Sequence, residues 1–461
     1  MKLTLIGGGG VRSPLFVSTA LRWQARIGLK ELCLFDIDAH KLGLFGALCR
    51  EVVHRGGDPF TITTTTDARE ALSGVKHVVT TIRAGFEQGR ALDERIALRH
   101  GVLGQETTGP GGFAMALRSI PAILKYAQLL EELSPGAWMY NFTNPAGLVT
   151  QALREAGFER TIGICDGANA GQSSVAQWAG VEERRIRAEV FGLNHLSWCR
   201  AAWLDGEDLL PGALADDEFL RQAQSLFDPR LVRMLGMHLN EYLYYYYYAE
   251  QALAAIKGEG MTRGEEIVEL NTRLIEQLEE IGVERNPERA LRAYTGYEMR
   301  RGATYMHYAY GGTSIAEANR QQIFDADIPP SAGEGYAGVA LALIEAIESD
   351  RPHYTALNVP NQGAIAGMLD SDVVEVSCRV DGSGAHPLPT GEVPAPQLGL
   401  MQAVKRYERL TAQAIREHSR ELAVQALMAH PLVLSYSRAR PLVDEYLAAH
   451  AAYVEVERWN V

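Results

Sequence analysis

The chain has few cysteines, no excess of basic residues and no long apolar run, and each shortage removes a class of protein. Five cysteines in 461 residues, at Cys33, Cys49, Cys165, Cys199 and Cys378, are too sparse and too scattered for a disulfide framework, which suits a reducing compartment. Lys and Arg number 44 against 57 Asp and Glu, a formal charge of -13. No broad basic surface is left to neutralise phosphates, which argues against nucleic acid as a partner. The apolar stretch after Met1 and Lys2 stops at four glycines, far short of a signal-peptide core, and no apolar run reaches membrane-spanning length. Internal repeats and low-complexity tethers are also missing. These absences converge on a soluble cytoplasmic protein with no membrane partner.

What is present is ordinary globular composition, 47% hydrophobic and 22% charged, in a chain long enough for two or three packed subdomains. Residues 2–6 read as a buried strand, Gly7 to Gly10 as a breaker and residues 13–23 as a helix of 3.6-residue apolar spacing. Residues 32–35, 78–82, 137–140 and 161–164 are further apolar β-rich runs, with helical stretches such as 113–133 between them. This alternation predicts an α/β fold, an N-terminal Rossmann-like domain with a doubly wound parallel sheet over residues 1–195. Long helical stretches at 265–281, 336–347 and 400–428, mixed with β-like runs such as 373–380, predict a mixed α+β domain over residues 196–461. The Gly- and Pro-rich stretch 382–396 reads as an ordered loop.

Gly7 and Gly9 occupy the first two positions of a dinucleotide fingerprint, where backbone amides and a helix N-terminus approach a pyrophosphate. The third glycine is absent, and Arg12 stands there. Asp36, at the end of the second predicted strand, can accept hydrogen bonds from both hydroxyls of an adenosine ribose, which favours NAD over NADP. The later strands also end in polar residues, Arg83, Asn141 to Asn144, Cys165 and Asp166, and ligands of open parallel sheets bind beyond those ends, so one pocket is expected. Cys165 and His195 supply a soft thiolate and an imidazole, two ligands for a divalent metal whose other positions a substrate or water fills. Taken singly, such a cysteine is as a rule buried packing and such a histidine a satisfied polar group. Tyr242 and the five tyrosines Tyr244 to Tyr248 are the oddest composition in the chain. On one helix Tyr242, Tyr245, Tyr246 and Ala249 share a face, an aromatic packing stripe in which one phenol could serve as a base.

The run Gly7-Gly8-Gly9, the segments Phe35 to Asp38, Leu103 to Gly109 with Gly111 to Phe113, Asn141 to Pro145, Gly163 to Asp166 and Gly192 to Ser197 occur in the order and spacing of one family. The chain resembles the family-four glycoside hydrolases, most of all the 6-phospho-β-glucosidases. That resemblance implies an NAD- and Mn2+-dependent glycosidase, an exception to the two-carboxylate mechanism, working by oxidation at C3, deprotonation at C2, elimination, water addition and re-reduction. It further implies Gly7, Gly8, Gly9 and Asp36 as cofactor-binding residues, Cys165 and His195 as metal ligands and Tyr242 as the base, with Tyr245 as second choice because Tyr244 replaces the arginine of the family's Tyr-Leu-Arg-Tyr-Tyr pattern. Asp166 matches a general acid of phospho-α-glucosidases, whereas phospho-β-glucosidases often carry Asn there. Arg90, Asn144 and Arg301 match positions that hold the substrate, with Arg83 a further candidate. Gly10-Val11-Arg12-Ser13-Pro14 departs from the family's Ser-Ser-Tyr-Thr-Pro, at the end of the cofactor turn.

The expected partner is a small glycoside, 6-phosphorylated in the leading reading, and the expected assembly is a homodimer or homotetramer. Alternatives within the family are 6-phospho-α-glucosides and unphosphorylated galactosides or glucuronides. A simple NAD-dependent hydroxy-acid dehydrogenase, and a nucleotide-binding regulator without catalysis, are the readings from other classes.

Overall fold

A computed structural model describes residues 1–309 and 335–459 of the protein. In chain order its strands are β1 (Lys2–Ile6), β2 (Glu31–Phe35), β3 (Thr61–Thr65), β4 (His77–Thr80), β5 (Trp138–Asn141), β6 (Thr161–Gly163), β7 (Arg187–Leu193), β8 (Leu196–Leu204), β9 (Glu207–Asp208), β10 (His238–Leu239), β11 (His353–Pro360), β12 (Val373–Asp381) and β13 (Gly384–Pro387). The first six pair in parallel in the order β3-β2-β1-β4-β5-β6. This is the predicted doubly wound sheet, and its strand order reverses beside β1, where a crevice opens past the carboxyl ends. Its central strands are apolar on both faces because helices cover both, so Leu3, Leu5, Leu32, Leu34, Val78 and Val79 are all buried.

The sheet does not end with β6. Asn358 of β11 pairs antiparallel with Gly163, and β12 and β13 follow, giving nine strands. The division expected at residue 195 falls in the β7–β8 turn, and the large sheet draws its last three strands from beyond it. A second sheet is built from β7, β8 and β10, with β9 on β8. Ser377 of β12 stitches the two sheets together: its hydroxyl accepts from the Val190 amide (2.9 Å) and donates to the Ala188 carbonyl (2.8 Å).

Three local expectations are corrected. The tyrosine run is not one helix but a 3-10 turn (Glu241–Leu243), a single helical turn (Tyr244–Tyr247) and a new helix (Ala249–Gly258), broken at Tyr248. The phenols seek different partners: Tyr245 meets Tyr308 (2.5 Å), Tyr247 accepts from the Trp198 indole (3.1 Å) and Tyr248 accepts from the Asp228 amide (3.0 Å). Residues 400–428 fall into two helices, Ala395–Glu417 and Arg420–Ala429, because His418 turns left-handed (φ 51°) and Ser419 caps the second. The stretch 382–396 is not all loop, since it contains β13 and the start of a helix. Strand β3, Thr-Ile-Thr-Thr-Thr, was not anticipated; it lies at the sheet edge, where β-branched threonines suit an exposed strand better than an apolar run would.

Beneath the crevice, helices Phe86–Arg99 and Pro110–Leu133 are tied to the end of helix Tyr436–Ala449 by a buried charged group. Arg118 donates twice to Asp93 (2.9 and 2.6 Å), His450 Nε2 lies 2.5 Å from the same carboxylate, and Arg118 Nε holds the Ala84 carbonyl (2.9 Å) after β4. Asp93→Ala strands a buried guanidinium, so it is expected to cost about 3–5 kcal/mol of stability. Urea unfolding measures this, and a loss below about 1 kcal/mol, the scale of a surface pair, contradicts the assignment.

Candidate active site

The residues that end β1, β2, β4, β5 and β6 line one cavity of about 1510 Å³, larger than the roughly 300–1000 Å³ that suits a single small ligand. At its β1 end Gly7 takes a left-handed φ of 96°, and a Cβ on Gly8 would lie 2.6 Å from that of Leu34. Only glycine lets this turn pass so close to β2. The Gly9 amide donates to Asp36 Oδ2 and the Asp38 amide to Asp36 Oδ1, both at 3.0 Å. Burial raises the Asp36 carboxyl above its usual value against the pull of those amides. The amides of Val11 and Arg12, at the open end of helix Ser13–Ile27, donate to no described residue. Gly7, Gly8, Gly9 and Asp36 thus form a cradle that fits a dinucleotide, with free amides where a pyrophosphate would lie.

Cys165 follows β6, and His195 occupies the β7–β8 turn in the left-handed region (φ 62°). These residues come from different sheets, yet Sγ and Nε2 are 3.6 Å apart. That is the separation of two ligands on one ion with bonds of about 2.3 and 2.1 Å. Burial drives both toward their neutral forms: the thiol is raised well above its usual value and the imidazole is lowered to about 4. Neutral imidazole is the metal-binding form. Its tautomer is set by Thr107, whose hydroxyl sits 2.8 Å from Nδ1 and donates onward to Gln105 Oε1 (3.2 Å). Nδ1 therefore carries the proton, and Nε2 faces the sulfur with its lone pair. Among the described residues no group of three or more His, Cys, Asp or Glu forms a complete metal cage. A two-residue set leaves open positions for oxygen ligands, the character of a catalytic site.

The Tyr242 ring lies flat on the His195 ring, with centroids 3.7 Å apart and 3° between planes. Its phenol is 3.1 Å from that of Tyr305, which donates to Glu241 (2.7 Å). Burial raises the Tyr242 phenol well above its usual value, and Glu241 adds to the shift. Tyr245 is turned to Tyr308 instead. Asp166 stands beside Cys165, exposed to the cavity.

Another part of the cavity lining carries a cluster of ion pairs. Arg83 and Arg90 grip the two oxygens of Glu106 (2.5 and 2.8 Å), Arg83 also meets Glu87 (3.2 Å), and Arg90 meets Glu94 (2.8 Å). Burial alone would raise Glu106, but the two arginines prevail and hold it well below the carboxylate range. Arg301 donates to the Tyr297 phenol (2.7 Å). By contrast, the side chains of Arg12 and Asn144 line the cavity without a hydrogen bond to any described residue. Arg12 is exposed to the cavity, and the neighbouring Asp166, Tyr336 and Glu298 favour its charged form.

All the candidate positions, Asp36, Arg83, Arg90, Asn144, Cys165, Asp166, His195, Tyr242 and Arg301, lie on this one cavity with Gly7 and Gly9; Gly8 sits behind the turn against Leu34. Thr107 and Gln105, behind the imidazole, lie in the segment Leu103 to Gly109 that carries the resemblance but were given no role from sequence. Tyr305 on the Tyr242 phenol, and Glu375 of β12, whose side chain accepts from Asn194 and Ser197 on either side of the imidazole turn, have no spacing signal because each acts across a contact formed only by folding.

Residues 2–181 match the profile of the family 4 glycosyl hydrolases, and residues 190–433 match that of the family 4 glycosyl hydrolase C-terminal domain. A Bacillus subtilis (strain 168) protein named probable 6-phospho-β-glucosidase is 32% identical over 468 residues, covering 98% of this chain and 97% of that one. The 6-phospho-β-glucosidase of Thermotoga maritima, solved with manganese, NAD+ and glucose-6-phosphate, superposes with a TM-score of 0.82 at 28% identity, over 98% of this chain and 99% of that one. A 6-phospho-α-glucosidase from gut microorganisms, solved with NAD and Mn2+, has a TM-score of 0.81 at 26% identity, over 98% of each chain.

Gly8→Ala drives a methyl group into the Leu34 backbone, and overpacking of this kind costs about 1–3 kcal/mol, or at least roughly fivefold in dinucleotide affinity if the turn yields. Fluorescence titration with NAD+ measures it, and unchanged affinity contradicts the cradle.

Proposed function

The chain belongs to the family 4 glycosyl hydrolases, and on that premise we propose that it cleaves the O-glycosidic bond of 6-phospho-β-glucosides with bound NAD and a divalent ion, Mn2+ first among them. The observation that carries this reading is the Cys165–His195 pair at 3.6 Å, sharing a cavity with the glycine turn and Asp36. NAD bound in the glycine cradle would supply reversible hydride transfer at C3 of the sugar, and an ion held by Cys165 and His195 would supply Lewis acidity beside the C2–H bond.

The rest falls to this chain's side chains. Cys165 and His195 hold the ion, with Thr107 fixing the imidazole. The C2 proton is too weakly acidic for any side chain until C3 is a ketone, and Tyr242 then removes it. Its ring lies against His195, so base and ligand address neighbouring sugar atoms, and a cation close to the phenol favours the ionised form that burial opposes. Asp166, one residue past the thiol, hands a proton to the departing glycosidic oxygen. Water then adds to the unsaturated sugar, and the cycle closes with no net redox change.

Arg90, Asn144 and Arg301 orient the sugar. Arg83 and Arg90 are bound by Glu106, whereas Arg12 has no hydrogen bond to a described residue. Arg12 is therefore assigned to the 6-phosphate, which a guanidinium recognises with paired donors. The five cysteines are all free and buried, which supports a place in a reducing cytoplasm.

Purified protein with NAD+, Mn2+ and a thiol reductant is expected to release nitrophenol from nitrophenyl 6-phospho-β-glucoside, with deuterium at C2 lost to water. Release without cofactor, or NADH accumulating in step with product, contradicts the reading. Tyr242→Phe is expected to lower C2 exchange about 100-fold or more with NAD+ affinity unchanged; undiminished exchange moves the base elsewhere. Arg12→Ala is expected to raise KM for the phosphorylated substrate about tenfold or more, leaving NAD+ affinity unchanged. The opposite pattern would assign Arg12 to the cofactor's pyrophosphate.

A further inference from the structure

A carboxylate in a protein interior normally has a cation beside it, because desolvating an unpaired charge is costly. Glu375, in the middle of β12, is fully buried at 0% exposure, yet no Lys, Arg or His forms an ion pair with it among the described residues. It is surrounded by neutral donors. Oε1 accepts from Asn194 Nδ2 (3.2 Å) and Asn358 Nδ2 (3.0 Å), and Oε2 accepts from the Ser197 hydroxyl (2.7 Å).

Each donor belongs to a segment that carries part of the site. Asn194 immediately precedes His195 in the left-handed turn. Ser197 is the second residue of β8, and its hydroxyl accepts from Asn240 Nδ2 (3.2 Å), whose Oδ1 in turn accepts from the Tyr242 amide (3.0 Å). Asn358 pairs with Gly163, two residues before Cys165. One side chain from the far half of the chain thus reaches all three elements that bear Cys165, His195 and Tyr242. The charges also match. A thiolate and a neutral imidazole offset only half of a doubly charged ion, and Glu375, from the protein side, and Asp166, from the cavity side, both act electrostatically on the Cys165 thiol.

We propose that Glu375 is a positioning residue for the divalent ion: it fixes the turn that presents His195 and supplies, from outside the ion's ligand set, the negative charge that the two ligands lack. The inference rests on the reading that Cys165 and His195 hold that ion. Burial pushes the Glu375 carboxyl above its usual value and its three donors oppose the shift, as expected of a carboxylate lacking a cation within the protein.

The test is a Mn2+ titration of the full-length protein with NAD+ present, with free Mn2+ followed by electron paramagnetic resonance. Glu375→Gln keeps the shape and removes the charge. It is expected to weaken Mn2+ binding about 10- to 100-fold, to leave NAD+ affinity and metal-free melting temperature unchanged, and to regain activity as Mn2+ is raised. Wild-type Mn2+ affinity in Glu375→Gln overturns the proposal, as does lost activity that excess Mn2+ does not restore. If Glu375→Gln does not fold, Asn194→Ala breaks the same link from the side of the turn and must weaken Mn2+ binding; unchanged affinity there overturns the proposal equally. A wild-type protein that binds no Mn2+ would instead refute the metal-dependent reading of the site.

Discussion

The contact between Cys165 Sγ and His195 Nε2 closes the architecture. Cys165 leaves the last parallel strand of the large sheet, and His195 sits in a hairpin of the second sheet, so their approach requires the two sheets to be held in fixed register. Ser377 provides that hold by bonding β12 to β7 on both sides of one residue. The left-handed backbone at His195 then aims the imidazole across the gap. Were either sheet to slide by one residue, side chains would change faces and the pair would separate.

Around this pair the electrostatics have one direction. Burial favours a neutral thiol, a neutral imidazole and a neutral phenol, so the protein alone provides little ionised chemistry. On the proposed reading a divalent ion would reverse this, stabilising thiolate and phenolate and drawing on the nearby charge of Glu375, and catalytic competence would then be coupled to cation binding. The wall of the cavity follows a different logic: Glu106 locks Arg83 and Arg90 in place, giving a rigid surface against which a sugar can be oriented, while Arg12 and Asn144 keep their hydrogen-bonding capacity for a ligand.

Much of this was legible in the sequence. The five apolar runs alternating with helices imply the doubly wound sheet, and the polar residues at their ends imply a common cavity, because both follow from local pattern. What stayed hidden depends on contacts distant in sequence. Strand β3 has one apolar residue and draws its stability from pairing with β2. Strands β11 to β13 read as part of a separate domain, although a single pairing, Asn358 with Gly163, adds them to the large sheet. The break at Tyr248 is set by partners such as Asp228 and Trp198 that no helical periodicity reveals. Glu375 reads as one acidic residue in a valine-rich strand, and only the fold shows it beneath the hairpin turn.

The account stands on a cation shared by one sulfur and one imidazole, and X-ray absorption at the manganese edge of the protein loaded with Mn2+ and NAD+ tests this most directly. The spectrum should contain a single sulfur neighbour and a single imidazole, with oxygen in the remaining positions. A shell of oxygen alone, with no sulfur scattering, would contradict the account.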